Sequence, residues 1–161
     1  MRDPSFDDAR LGLELYDLRR ERELRKARAL VGKLSTAGWE EIEAVMQHGH
    51  KRNAHWRQAT SYWEMCASFV NRGIFHPLVF QDTCGEALFT YVALLPWLPR
   101  IRQANPRFLM QVETAIQQHA NLRERVEQMT PMMASWRAAA EAERASGGAP
   151  AAKGKKKRRK G

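Results

Sequence analysis

The chain predicts an all-α fold: a compact bundle of about six helices, with a long charged helix at the N-terminus and a disordered tail at the C-terminus. Apolar residues recur three and four apart in segment after segment, and no run alternates polar and apolar residues for long enough to make a strand. Ser, Asn, Gly and Pro punctuate these runs where helices would start and stop. At 161 residues and 43% hydrophobic content, one domain can bury a core of its own. The expected division is a helical domain over residues 1–145 and a tail over 146–161.

The first helix opens at Ser5, which with Asp8 three residues on has the form of an N-terminal cap. Leu11, Leu15 and Leu18 follow at helical spacing, and Leu24, Leu30, Val31 and Leu34 resume it. Between them lies RRERE, Arg19 to Glu23, whose five successive charges face every side of a helix. The expectation is a single helix that projects beyond the body, steadied by pairs such as Glu21 with Arg25. After a Ser35–Gly38 break, Trp39, Ile42, Val45 and Met46 mark a short second helix. The connector HGHKRNAHW, His48 to Trp56, then leads into a third, with Asn53 as cap and Gly73 as the residue just past its end. On that helix Trp56, Ala59, Tyr62, Trp63, Cys66, Ala67, Phe69 and Val70 fall on one side, opposite Arg57, Ser61, Glu64, Ser68 and Arg72.

His76 and Pro77 open a short fourth helix, because proline is accommodated at the first helical position. It stops near Gly85, and a fifth, almost wholly apolar apart from Glu86 and Thr90, is the expected centre of the core. Pro96 and Pro99 remove two backbone donors, so the chain should kink or restart before Arg100. Asn105–Pro106 and Thr130–Pro131 each read as a cap followed by a first helical residue. The first would start a helix through Phe108, Val112, Ala115, His119, Leu122, Val126 and Met129, the second a last helix ending near Arg144.

The formal net charge of +9 looks like a nucleic-acid signal until it is located. Lys153, Lys155, Lys156, Lys157, Arg158, Arg159 and Lys160 supply seven of those charges, which leaves +2 on the rest. Any polyanion binding therefore rests on the tail. Electrostatics alone does not choose its partner: seven neutralised phosphates give a salt slope of about −6, and an anionic bilayer gains about 1 kcal/mol per basic residue. The tail carries neither aromatic residues for base stacking nor an apolar anchor, which makes it a non-specific accessory or a solubility device. The start, MRDPSF, lacks the features of a secretory signal, so a cytoplasmic location is expected. The most apolar run, Ala87 to Leu98, is 12 residues, against the roughly 20 that span a bilayer.

No stretch carries a strong catalytic, cofactor or metal signature. His48, His50 and His55 offer three nitrogen donors, but Lys51 and Arg52 stand among them and no acidic residue occurs between Glu43 and Glu64. A polar connector with surface histidines is the expectation, with Trp56 the most structurally demanding of its nine residues. Cys66 and Cys84 are expected as free thiols. Cys84 precedes a helix, where a dipole can lower a thiol pKa, yet no base is placed beside it by sequence, so a buried cysteine is the preferred reading. Glu64 reads as a solvated or cross-linking residue, and His119 as a hydrogen-bonded histidine at the edge of the core. HPLVFQDTCGEALFTYV has the length of a helix-turn-helix, but its second helix offers no Arg, Lys, Asn or Gln to reach a base edge.

The stretch from Tyr62 to Leu98 resembles a family of small bacterial all-helical proteins classed as a domain of unknown function. The resemblance is carried by Tyr62, Trp63 and Glu64 on an aromatic-rich helix, the Arg72–Gly73 turn, Leu78 and Phe80 on a short helix, and Tyr91, Pro96 and Trp97 on an aromatic helix interrupted by proline. It extends over roughly residues 10 to 120, implies the helical fold and implies no catalytic residue. Many proteins of this kind carry an N-terminal membrane helix, where this sequence has its charged helix. The expected function is a non-enzymatic interaction protein without cofactor or metal, its first helix docking a protein partner and its tail attracting nucleic acid or another polyanion. Alternatives are a peripheral membrane protein held by the tail, and a small metal or thiol enzyme.

Overall fold

The computed structural model describes residues 2–146, and these form an all-helical bundle. The seven tail residues expected to bind polyanions, from Lys153 to Lys160, lie outside the described residues. In chain order the helices are α1 (Phe6–Arg20), α2 (Arg22–Leu34), α3 (Trp39–Met46), α4 (Asn53–Asn71), α5 (Pro77–Thr83) and α6 (Gly85–Leu94). A 3-10 turn over Leu95–Trp97 then leads to α7 (Leu98–Ala104), α8 (Met110–Gln118) and α9 (Ala120–Ala145). The bundle has more helices than the six expected because several of the anticipated segments are divided.

At the centre stands α4, gripped by α2 on one side and α8 on the other. Its expected apolar side is the buried one, with Trp63 1% exposed and Cys66 and Ala67 fully covered. Trp56 is buried as expected and stacks on Phe108, their ring centroids 5.4 Å apart. Gly73 ends α4 at φ +69, a conformation glycine adopts without steric cost, while the amide groups of Gly73 and Ile74 donate to the carbonyls of Val70 and Phe69. Next to α4 lies α6, covered by α9 and touching α2, α5 and α8. Thr90 is buried with the apolar residues, its hydroxyl donating to the Glu86 carbonyl. Of the Ala87–Leu94 segment only Phe89 is partly exposed, and it carries no group that reads a base edge; the chain restarts as α7 at Leu98, just after Pro96.

The N-terminal helix does not project. It ends at Arg20, turns at Glu21 (ψ 142), and returns as α2 against α4. Leu15 and Leu24 are both buried, yet nine residues of straight helix would rotate them to opposite sides. A corner is the only way both reach one core. The charged RRERE run supplies that corner, because the Glu21 carboxylate accepts hydrogen bonds from the Glu23 and Leu24 amides and caps α2. α1 crosses α5 at Gly12, where an added Cβ would lie 3.3 Å from Thr83 and 3.5 Å from Val79.

Three other boundaries differ from expectation. Asn105–Pro106 opens a turn rather than a helix; α8 begins only at Met110, after Leu109 takes a left-handed φ of 53 that sends both Phe108 and Leu109 inward. The long helix expected through Met129 breaks at His119, which is extended at ψ 119. Conversely, α9 runs straight through Pro131. The carbonyl deprived of its partner there is that of Glu127, an exposed residue, where water can take the place of the missing bond.

Candidate functional site

A depression follows α4 against the 105–109 turn, a cavity of about 550 Å³ lined by Trp56, Arg57, Ser61, Glu64, Arg107 and Phe108 among others. Glu64 is its organising residue. Its carboxylate accepts hydrogen bonds from the backbone amides of Gln111 and Val112, each at 3.1 Å. It thereby caps α8, because Leu109, the residue at the capping position just before Met110, supplies no side-chain cap. Burial pushes the Glu64 carboxyl up, against the pull of those two amides and of Arg102 and Arg107. Of the two roles expected for this residue, the cross-linking one is observed. Behind it Arg102 pairs with Glu113 at 2.9 Å, and Glu113 accepts from the Tyr91 hydroxyl, also at 2.9 Å. Burial and that carboxylate push the Tyr91 phenol up to about 12.

The histidines do not converge. His55 faces Glu23 across 3.2 Å, His50 accepts from the Arg52 amide, and no group of three or more His, Cys, Asp or Glu side chains poised for a metal occurs among the described residues. Asn53 is buried at the start of α4, where its side-chain amide donates to the carbonyls of Val45 and Met46 and closes the end of α3. It was expected to cap α4 and instead caps the preceding helix. Cys66 and Cys84, 18 residues apart in the chain, meet in the core as free, buried thiols. The adjacent Cys84 and burial push the Cys66 thiol up; Cys84 itself is held down by Cys66, with Thr83 at 3.6 Å assisting. His119 is half-buried at the break between α8 and α9, and its Nδ1 has no hydrogen-bond partner among the described residues, contrary to the hydrogen-bonded state expected. Burial, then His76 and Arg123, lower its pKa.

Two clusters escaped the sequence. Asp8, 1% exposed, holds Arg2 in a two-pronged pair at 2.5 and 2.6 Å, accepts from Ser5, and takes the His76 amide at 2.7 Å from 68 residues away. These contacts lower its pKa far below the usual carboxylate range, the Arg2 bond first. The His76 ring completes the tie: Nε2 donates to the Arg2 carbonyl at 2.8 Å and Nδ1 accepts from the Leu78 amide, which caps α5. The Ser5–Asp8 signature was readable; its link to His76 was not. At the opposite end Arg137 of α9 donates to the carbonyls of Val92 and Ala93, the first of which loses its helical partner to Pro96.

Outside the core, α1 keeps large apolar groups in solvent: Phe6 is 78% exposed and Leu13 67%, with Tyr16 at 40% on the same side under Arg19 and Arg20. Among the described residues no single helix is long and apolar enough to cross a membrane.

These features define a small all-α domain with a Glu-capped groove and a helix face whose apolar side chains are exposed among the described residues. The chain belongs to the family described as Domain of unknown function (DUF4760), which matches residues 4–118, from α1 to the end of α8. No curated protein and no solved structure matches the chain.

Proposed function

We propose that the protein is a non-enzymatic interaction module, in which the outer face of α1 docks a helix of a protein partner and the basic run Lys153–Lys160 adds non-specific attraction to nucleic acid or another polyanion. The observation that carries this reading is the doubled face of α1. Asp8, Gly12 and Leu15 fasten one side to the body, while Phe6, Leu13 and Tyr16 occupy an arc of about 80° on the other, at the i, i+7, i+10 spacing of a helix-packing seam. Arg10 and Asp17 border that arc and Arg20 continues it one turn beyond Tyr16, so the fitting partner is an apolar helix with charges of both signs at its edges. No catalytic, cofactor or metal role is assigned: the thiols are covered, and Glu64 spends its lone pairs on α8. A cytoplasmic setting accords with free thiols.

The test is capture by the full chain against a Phe6→Glu, Leu13→Glu variant, with Met132→Glu on α9 as an exposed control. A partner lost from the first variant, retained by the control, and retained when residues 147–161 are removed supports the docking face. Equal capture by all three overturns it. A second reading, a peripheral membrane protein, is favoured by the same exposed Phe6 and Leu13 beside Arg10 and Arg20. Sedimentation with anionic vesicles that both the α1 variant and the tail deletion abolish would select it.

A further inference from the structure

We propose that a small recess between α2 and the start of α4 is a binding site for a phosphate group carried by a small molecule, a monoester or diphosphate. This goes beyond the docking face, from which it is independent. The recess has a volume of about 230 Å³ and is lined by Lys26, Ala29, Leu30, Lys33, Arg52 and His55. Four basic side chains from two separate segments thus share the lining with the exposed Ala29 and the buried Leu30. Convergence of like charges costs stability unless an anion or carboxylates offset it. One such carboxylate stands beside the lining residues. Glu23 pairs with Lys26 at 2.6 Å and with His55 at 3.2 Å. Lys33 and Arg52 make no ion pair among the described residues, so two cations face the cavity uncompensated.

A phosphate suits this donor set. Arg52 presents a planar fork to two oxygens, Lys33 a point charge to a third, and the compact tetrahedral anion accepts from several directions at once. Lys26 and His55 can turn from Glu23 toward a dianion, which outcompetes a single carboxylate for them. The absence of any acidic residue in the first turn of α4 keeps the field positive there. A recess of this size takes a terminal phosphate. The internal diesters of a duplex follow a wide convex ridge that does not enter it, and no aromatic side chain lines it for a base to stack on. The HGHKRNAHW connector thereby acquires a role through Arg52 and His55, as wall to a site whose other wall is α2.

The test is titration calorimetry of the full chain with inorganic pyrophosphate at constant ionic strength. Three proteins are compared: wild type, Lys33→Ala with Arg52→Ala, and Lys155→Ala with Lys156→Ala in the tail. The expected result is saturable binding that weakens at least tenfold in the first variant and less than twofold in the second. Both recess residues are exposed, and urea unfolding of the unliganded variant at the wild-type midpoint or above shows that the loss is not one of folding. Absence of saturable binding, or equal affinity in all three proteins, overturns the proposal. Reduced affinity of the recess variant for a fluorescent DNA duplex, with pyrophosphate binding unchanged, also overturns it, in favour of a nucleic-acid surface.

Discussion

The two longest helices of the described chain spend their length differently. Of 19 residues in α4, nine are buried, whereas of 26 in α9 only Leu122, Met129 and Met133 are. The cause is the number of neighbours: α4 is clasped between α2 and α8 and also meets α3, α5 and α6, while α9 lies over α6, α8 and α5 from one side. Helix length is therefore no guide to importance here. α4 lies inside the family match, and α9 begins two residues after it ends. One is the spine of the shared domain; the other is a strap across it, pinned by Arg137 to α6 and by Arg144 to the Thr36 carbonyl.

The same substitution in each helix breaks or sharpens this contrast. Trp63→Ala on α4 removes a side chain that is 1% exposed and should cost about 3–5 kcal/mol in urea unfolding. A loss below about 1 kcal/mol would mean that α4 is not the spine. Glu64→Ala, on the groove side of α4, leaves the Gln111 and Val112 amides without their acceptor and should cost about 1–3 kcal/mol. Its charge-removing counterpart gives a sharper readout. Because burial raises the Glu64 pKa in the folded state, the folded chain holds a proton that the unfolded chain releases. Stability should therefore fall as pH rises from the ordinary glutamate value of 4.5 through the raised one, and Glu64→Gln should flatten that slope. An unaltered slope would assign it to another group. Smallest of all, Trp136→Ala on α9, where the indole is 47% exposed, should change stability by no more than about 0.5 kcal/mol. A larger cost would make the far half of α9 part of the core.

Much of the fold was legible from local chemistry. The Ser5–Asp8 box, the α3 segment, the span of α4 with its Gly73 stop, the His76–Pro77 start and the restart after Pro96 all stand where the sequence puts them. The corner at Glu21 was also within reach, since Leu15 and Leu24 cannot share a face on one straight helix. It was obscured because a run of charges looks the same in an exposed helix and in a capped turn. Less was legible at the site. Glu64 was singled out on its polar face, but its role depends on Leu109 turning left-handed 45 residues away, and nothing local to either residue signals that. The meeting of Cys66 with Cys84, and of Asp8 with His76, is equally a product of packing.

What the sequence determined by itself is the helical class, the inward face of α4 and the concentration of positive charge in the last nine residues. Each follows from a period or composition that a few neighbouring residues suffice to set. The tertiary structure decided where the helices break and what closes the broken ends. Glu64 caps α8, Asn53 caps α3, and Arg137 takes up the carbonyls near Pro96. A terminal amide or carbonyl must find a partner, but its chemistry accepts any donor or acceptor within reach, so which residue arrives is fixed only when the helices pack.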